Sequence, residues 1–263
     1  MNLFKKIDIN GLKKTIQSYG PRGYVVKTER DEAGVDGRIV TYIDKGSYVA
    51  EQYKVLRTNL YSLSAEKPIK TVLITSSHPQ EGKTITSCNL AVSLSMDMEK
   101  KVLLVDSDLR RPTIHNMLGL PKKPGLSEIF NKEIDIEYFI RKPAIGNLYV
   151  IPSGSTQINS SEMLSSTKVK DVIDKIRAEF NYAIFDTPPI LSVTDACILG
   201  SLCDAVIFII KAGVTQRDVI KEAFHMLEGA QAKPKACVLT NVRYLLDNYY
   251  FYRYKYYKYS EQA

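Results

Sequence analysis

The stretch Thr71-Val-Leu-Ile-Thr-Ser-Ser-His-Pro-Gln-Glu-Gly-Lys-Thr84 decides the fold. Residues 71–75 form a short apolar run, residues 76–83 a loop ending in Gly82-Lys83, and residues 84–98 carry helical spacing. This is the strand, loop, helix context that a phosphate-binding loop requires. Backbone N–H groups and the helix N-terminus face the phosphates, a lysine reaches the β- and γ-oxygens, and a hydroxyl ligates Mg²⁺. Lys83 and Thr84 hold those last two places, with Ser77, Pro79, Glu81, Gly82 and Ile85 around them. The pattern G-x-x-x-x-G-K-[ST] ordinarily opens on glycine, and Ser77 stands there instead.

Outward from this loop the chain alternates. Apolar runs at Lys101–Val105, Leu148–Ile151, Tyr182–Phe185, Ala205–Ile210 and Ala236–Thr240 are separated by helical stretches near 168–180, 194–203 and 216–229. Continuous apolar runs suit strands buried on both faces of a parallel sheet. The sequence therefore predicts an α/β P-loop NTPase fold, a doubly wound, mostly parallel sheet flanked by helices. Before it, Val55, Leu56, Leu60 and Leu63 follow helical spacing and predict a helix over 50–63.

Two further runs end in acids. One is Val102-Leu-Leu-Val-Asp106-Ser-Asp108-Leu-Arg110, the other Tyr182-Ala-Ile-Phe-Asp186-Thr-Pro-Pro189. Ligands of open α/β sheets bind at the carboxyl ends of the strands, where a carboxylate can hold Mg²⁺ directly or through water. Capping of the following helices is the competing role for such acids.

The composition excludes several classes. At 263 residues, 44% hydrophobic and 25% charged, the chain suits one globular domain and is no collagen, disordered chain or disulfide scaffold. Its longest apolar run, Ala205–Ile210, is far shorter than the roughly 20 residues of a bilayer span, and its first residues lack the pattern of a secretory signal. Cys88, Cys197, Cys203 and Cys237 form no CxxC pair, which favours free thiols in a reducing cytoplasm. A net charge of +7 permits anionic partners without selecting one.

The ends of the chain differ from its middle. Residues 1–45 scatter glycines among charges of both signs and read as a basic, weakly structured arm ahead of a domain over 46–242. Residues 243–263 hold Tyr244, Tyr249, Tyr250, Tyr252, Tyr254, Tyr256, Tyr257 and Tyr259, eight of the chain's 17 tyrosines. Such a tail suits either a flexible substrate segment or a stacking surface for single-stranded nucleic acid.

At these residues the sequence resembles the bacterial tyrosine kinases (BY-kinases) that accompany capsule and exopolysaccharide synthesis. The resemblance rests on Ser76 to Thr84 as the Walker A loop, Asp106-Ser-Asp108-Leu-Arg110 as the Walker A′ motif, Asp186-Thr-Pro-Pro as Walker B, and the tyrosine tail. Partition and division-site ATPases, switches that bind a partner or DNA without phosphorylating protein, are the alternative. Their loop carries a signature lysine where this chain has His78.

The resemblance implies an ATP- and Mg²⁺-dependent tyrosine autokinase. Lys83, Asp106, Asp108 and Arg110 would be catalytic, and Thr84, Asp108 and Asp186 would form the metal sphere. Asp106 would accept a hydrogen bond from the hydroxyl of the incoming tyrosine, and Arg110 would position the phosphates or the acids. The eight tail tyrosines would be the autophosphorylation sites. Asn241 would read the adenine edge, one place after the family's usual position. The family assembles as a ring through an E-x-x-R-x-x-R helix, matched here by Glu51, Lys54 and Arg57 with lysine in the middle place. The implied partners are a separate membrane polysaccharide co-polymerase, a cognate tyrosine phosphatase and copies of the chain, with no nucleic acid expected. The implied location is the cytoplasm, at the inner face of the membrane through that partner.

Overall fold

A computed structural model describes residues 29–131, 135–232 and 234–242. The tail tyrosines and residues 1–28 of the arm lie outside them. Six strands, β1 Thr71–Ser76, β2 Val102–Asp106, β3 Leu148–Ile151, β4 Tyr182–Asp186, β5 Ala205–Lys211 and β6 Pro234–Thr240, form one sheet in the order β3-β2-β4-β1-β5-β6. Every neighbouring pair is parallel. The expected doubly wound architecture is therefore present.

Successive side chains of a strand point to opposite faces, and the two faces carry separate cores. Leu73 of β1 packs on one side with Phe185, Phe208 and Phe224. Its neighbours Val72 and Ile74 pack on the other with Leu90, Leu94, Leu104 and Ile207. This second layer is covered by α1 Val40–Ile43, α2 Tyr48–Glu66, α3 Lys83–Ser95 and α4 Ile114–Met117. The short α5 Leu126–Asn131 and a 3₁₀ turn Ile136–Phe139 lead into β3. The first layer is covered by α6 Ser160–Leu164, α7 Thr167–Glu179, α8 Asp195–Leu202 and α9 Arg217–Gly229.

The helix expected over 50–63 is present as α2, while one reading of the sequence needs correction here. Of the apolar positions on α2, Leu60 is buried, whereas Val55 and Leu63 are 53% and 39% exposed. Val55 lies about 100° around the helix from Leu56, off the face that Leu56 and Leu60 turn to the core, and Leu63 falls in the last turn. Residues 29–45, read as part of a weakly structured arm, are instead folded onto the domain, with Val35, Ile39 and Val40 buried.

Asn89 of α3 fastens that segment. Its Oδ1 accepts from the backbone N–H of Thr41 at 3.1 Å and from the Thr41 hydroxyl at 3.0 Å, while its Nδ2 donates to the carbonyls of Arg38 and Ile85 at 2.9 Å each. The Asp36 backbone N–H donates to the Met117 carbonyl at 2.9 Å, tying the segment to α4. Among the described residues no helix is long and apolar enough to cross a membrane.

Because Asn89 is fully buried, Asn89→Leu should cost about 1–3 kcal/mol by leaving backbone groups unpaired. The exposed Val55→Ala should stay within about 0.5 kcal/mol of the parent. Urea unfolding of both variants checks the contrast.

Candidate active site

Parallel strands bring their carboxyl ends to one edge, and register aligns the acids there. Ile74 of β1 pairs with Asp186 of β4, and Asp186 pairs with Asp106 of β2. Both acids are the last residues of their strands. The loop 77–82 between β1 and α3 rises beside them.

The loop is shaped by three devices. Gly82 adopts φ +99°, which favours glycine, and a Cβ there would also crowd the Thr240 side chain at 3.1 Å. Gln80 also takes a positive φ, +61°, whereas Ser77 does not, which explains why serine can replace the opening glycine without strain. Glu81 is buried and acts as a clamp. Its Oε2 accepts from the His78 backbone N–H at 2.9 Å, its Oε1 accepts from the Thr215 hydroxyl, and its carbonyl accepts from the Thr240 hydroxyl at 2.6 Å. Outside the loop lies a cleft of about 390 Å³ lined by His78, Gln80, Lys211, Thr215 and Val219.

Inside the loop, α3 meets the end of β4. The Thr84 hydroxyl donates to Asp186 Oδ2 at 2.7 Å and the Ser87 hydroxyl to Asp186 Oδ1 at 2.8 Å. Ser87 was not singled out by sequence, although it follows Lys83 by one helical turn and shares its face. Asp106 is fully buried, with Oδ2 accepting from the Ile114 N–H at 3.1 Å and Oδ1 without a hydrogen bond among the described residues. Asp108 is half-buried and caps the following turn, its Oδ1 accepting from the Arg111 N–H at 2.8 Å.

Burial dominates the electrostatics. It pushes the Asp186 carboxyl up to about 6 against the Thr84 hydrogen bond, the Lys83 charge and the Ser87 hydrogen bond. Burial also holds the Asp106 carboxyl well above the usual range, reinforced by the charges of Asp186 and Asp108. Burial lowers the Lys83 ammonium, and Asp186, Asp108 and Glu81 oppose that shift. Protons are thus weakly released by the acids and weakly held by the lysine, as at functional sites.

Three assigned groups sit differently from expectation. Arg110 reaches neither Asp106 nor Asp186; its Nε donates to Ser160 at 2.9 Å and lies 3.8 Å from Asp195. Asn241 adopts φ +56°, and its side-chain amide donates to the Ala212 carbonyl at 3.1 Å, joining the ends of β5 and β6. On α2, Glu51 and Lys54 pair with each other at 2.5 Å, while Arg57 donates to the Ser93 carbonyl at 2.7 Å.

Comparison with known proteins agrees with this geometry. A family model described as an AAA domain matches residues 69–236. The tyrosine-protein kinase YwqD of Bacillus subtilis is 36% identical over 195 residues, 74% of this chain and 82% of YwqD. The chain belongs to the bacterial tyrosine-kinase family. A second relative, the putative tyrosine-protein kinase CapB of Staphylococcus aureus, is 31% identical over 208 residues, 79% of this chain and 91% of CapB. The kinase domain of the Escherichia coli tyrosine kinase ETK shares the fold, with a TM-score of 0.75 at 24% identity over 95% of this chain and 90% of that domain. The loop of this kinase is accordingly a nucleotide site.

Its donor set suits a hard divalent cation. Mg²⁺ is commonly held by one or two carboxylates plus a nucleotide's phosphates rather than by an all-protein cage. Thr84 Oγ1 and Asp186 Oδ2, 2.7 Å apart, supply oxygen donors at one point.

The raised carboxyl of Asp186 has a testable consequence. The folded state keeps its proton up to about pH 6, whereas the unfolded chain releases it near 3.8, so Asp186 removes stability as pH rises from about 4 to about 6. In EDTA without nucleotide, Asp186→Asn should gain stability relative to the parent across that window and level off above it. Urea midpoints between pH 4 and 7.5 read this directly; parallel curves would contradict it.

Proposed function

We propose that this kinase uses ATP and Mg²⁺ to phosphorylate its own C-terminal tyrosines, in trans between copies, and thereby regulates capsular or exopolysaccharide assembly. The observation carrying this reading is the convergence of Lys83, Thr84, Asp186 and Asp106 at the ends of three adjacent parallel strands on a chain whose last residues are tyrosine-rich. A partition-type switch is disfavoured by His78 at the signature lysine position and by that tail.

In this mechanism the loop N–H groups and Lys83 hold the β- and γ-phosphates. Thr84, Asp186 and Asp108 would hold Mg²⁺, which when bound neutralises the phosphate oxygens. The tyrosine oxygen forms a bond to the γ-phosphorus as the bond to the bridging oxygen of ADP breaks. Asp106 accepts the phenolic proton. A phenol has a pKa of about 10, so a late transfer to the Asp106 carboxylate is expected. Positioning and charge neutralisation carry the rest of the acceleration.

The tail would be delivered to a neighbour within a ring that uses the Glu51, Lys54 and Arg57 helix. A membrane polysaccharide co-polymerase would recruit and activate the kinase at the inner face of the membrane, and a tyrosine phosphatase would reset it. Asn241 and the backbone beside it would face the base. The tail begins at +2, with four basic and two acidic residues. Phosphates on all eight tyrosines would bring it to about −10 to −14, so repulsion from a phosphate-filled site would loosen the assembly.

Lys83→Met should abolish tyrosine labelling, read by anti-phosphotyrosine signal with ATP and Mg²⁺. Labelling that persists in the purified variant would place the active site elsewhere. Truncation after Arg243 should remove most autophosphorylation yet leave the shortened enzyme able to phosphorylate the tail of an added Lys83→Met chain. No transfer in that mixed assay would make the tail structural rather than substrate.

A further inference from the structure

Arg110 is held by the helix layer opposite the one that carries Lys83 and Thr84. Across the sheet edge the order β1, β4, β2 takes the site from Lys83 and Thr84 past Asp186 to Asp106, and Arg110 follows Asp106 by four residues. The loop before α6 meets it there, with the Gln157 N–H donating to the Leu109 carbonyl at 2.9 Å. Asn241, proposed to face the nucleoside base, directly follows β6 at the opposite end of the sheet. Arg110 therefore stands close in sequence to Asp106 and is anchored on the layer opposite the phosphate-loop helix.

Its side chain is held from behind. Arg110 Nε donates to Ser160 Oγ at 2.9 Å, and Ser160 Oγ donates to Asp195 Oδ2 at 2.6 Å. The second oxygen of Asp195 accepts from the Ser161 hydroxyl at 2.6 Å, and the Thr194 hydroxyl donates to Ser161 Oγ at 3.2 Å. Asp195, the first residue of α8, is fully buried, and Arg110 is the cation paired with it, 3.8 Å away. A buried carboxylate needs such donors and such a charge. The anchoring uses one edge of the guanidinium only. The Arg110 side chain remains 34% exposed, and no hydrogen bond or ion pair among the described residues engages its Nη1 or Nη2.

We infer that Asp195, acting through Ser160, fixes Arg110 so that its free edge binds an oxyanion of the acceptor polypeptide beside the tyrosine being phosphorylated. This rests on Asp106 as the group that orients that tyrosine. A guanidinium with two free N–H groups side by side matches a carboxylate or a phosphate in bidentate fashion, which an ammonium does not. Both sources occur in the tail sequence. Asp247 precedes Tyr249 by two residues, and the adjacent pairs Tyr249-Tyr250 and Tyr256-Tyr257 place one tyrosine beside another that becomes an anion once modified. Arg110 is thus a specificity-determining residue, and Asp195 and Ser160 are positioning residues that touch neither nucleotide nor substrate.

The test uses the full chain with ATP, Mg²⁺ and three synthetic peptides covering residues 245–252: the natural sequence, one with Asp247→Lys, and one with Asp247→Lys that carries phosphotyrosine at position 250. The parent kinase should show a KM at least about tenfold lower for the natural peptide than for the lysine peptide, the scale of one charge-assisted pair. Recovery of the low KM by the third peptide would show that phosphate serves as well as carboxylate; no recovery would overturn the phosphate half of the inference. Arg110→Gln should erase the preference, and Arg110→Lys should not restore it. Asp195→Asn should raise KM for the natural peptide more than it lowers kcat, a split that a loss of fold would not produce. Thermal melting checks the fold of Asp195→Asn, and Ser160→Ala, which removes one hydroxyl, should weaken the preference in the same direction. Equal KM values for the natural and lysine peptides with the parent, or an unchanged preference in both folded variants, would overturn the inference. A parent that labels its own tail but transfers to none of the peptides would overturn the inference alone; a parent that labels neither would count against the autophosphorylation reading on which it rests.

Discussion

The buried carboxylate of Asp186 is the contact on which the site depends. A charge taken out of water must be met by donors, and here both oxygens are met by hydroxyls one turn apart on α3, from Thr84 and Ser87. That pairing fixes the rotation and height of α3 against β4, so Lys83 and the loop N–H groups face inward. The neighbouring backbone extends the junction. The Ser107 N–H donates to the Asp186 carbonyl at 2.8 Å, and the Thr187 N–H donates to the Ile74 carbonyl at 3.2 Å. Strands β1, β4 and β2 are thereby bound together just past the sheet, where Asp106 and Asp186 must hold their separation.

A second clamp, Glu81, works on the other side of the loop. It links the loop to Thr215 after β5 and to Thr240 at the end of β6. The loop is thus braced from both flanks, by Asp186 within and by Glu81 without. Preorganisation of this kind suits phosphoryl transfer, where most of the acceleration comes from positioned charge. The folded segment 29–45 joins the same frame: Asn89, on the helix that starts at Lys83, holds it, and it bonds in turn to α4, whose Ile114 N–H is the donor on Asp106. The phosphate loop, Asp106 and the N-terminal segment are therefore joined through one packed layer.

Much of this was legible in sequence. The six strands fall within a few residues of the expected runs, because strands buried on both faces are written as unbroken apolar stretches. Lys83, Thr84, Asp106 and Asp186 were legible because each sits at a strand end or helix start that local pattern marks. Segment 29–45 was not, since its burial rests on a few contacts, Val35, Ile39 and the Asn89 bonds, without periodicity. The helix over 50–63 was legible from its spacing, but not which of its apolar residues the domain covers, since Val55 is exposed and Leu60 buried.

The sequence by itself determined the fold class, the phosphate loop and the two acid-ended strands, because these depend on local propensity and on residues close together along the chain. Tertiary structure alone decided the company each functional group keeps. Arg110 meets Ser160 and Asp195 across 50 or more residues of chain, Glu81 meets Thr215 and Thr240 across more than 100, and Asn241 ties β6 to β5. Such pairings are set by which strands lie side by side and how the layers stack, and no short stretch of sequence carries that information.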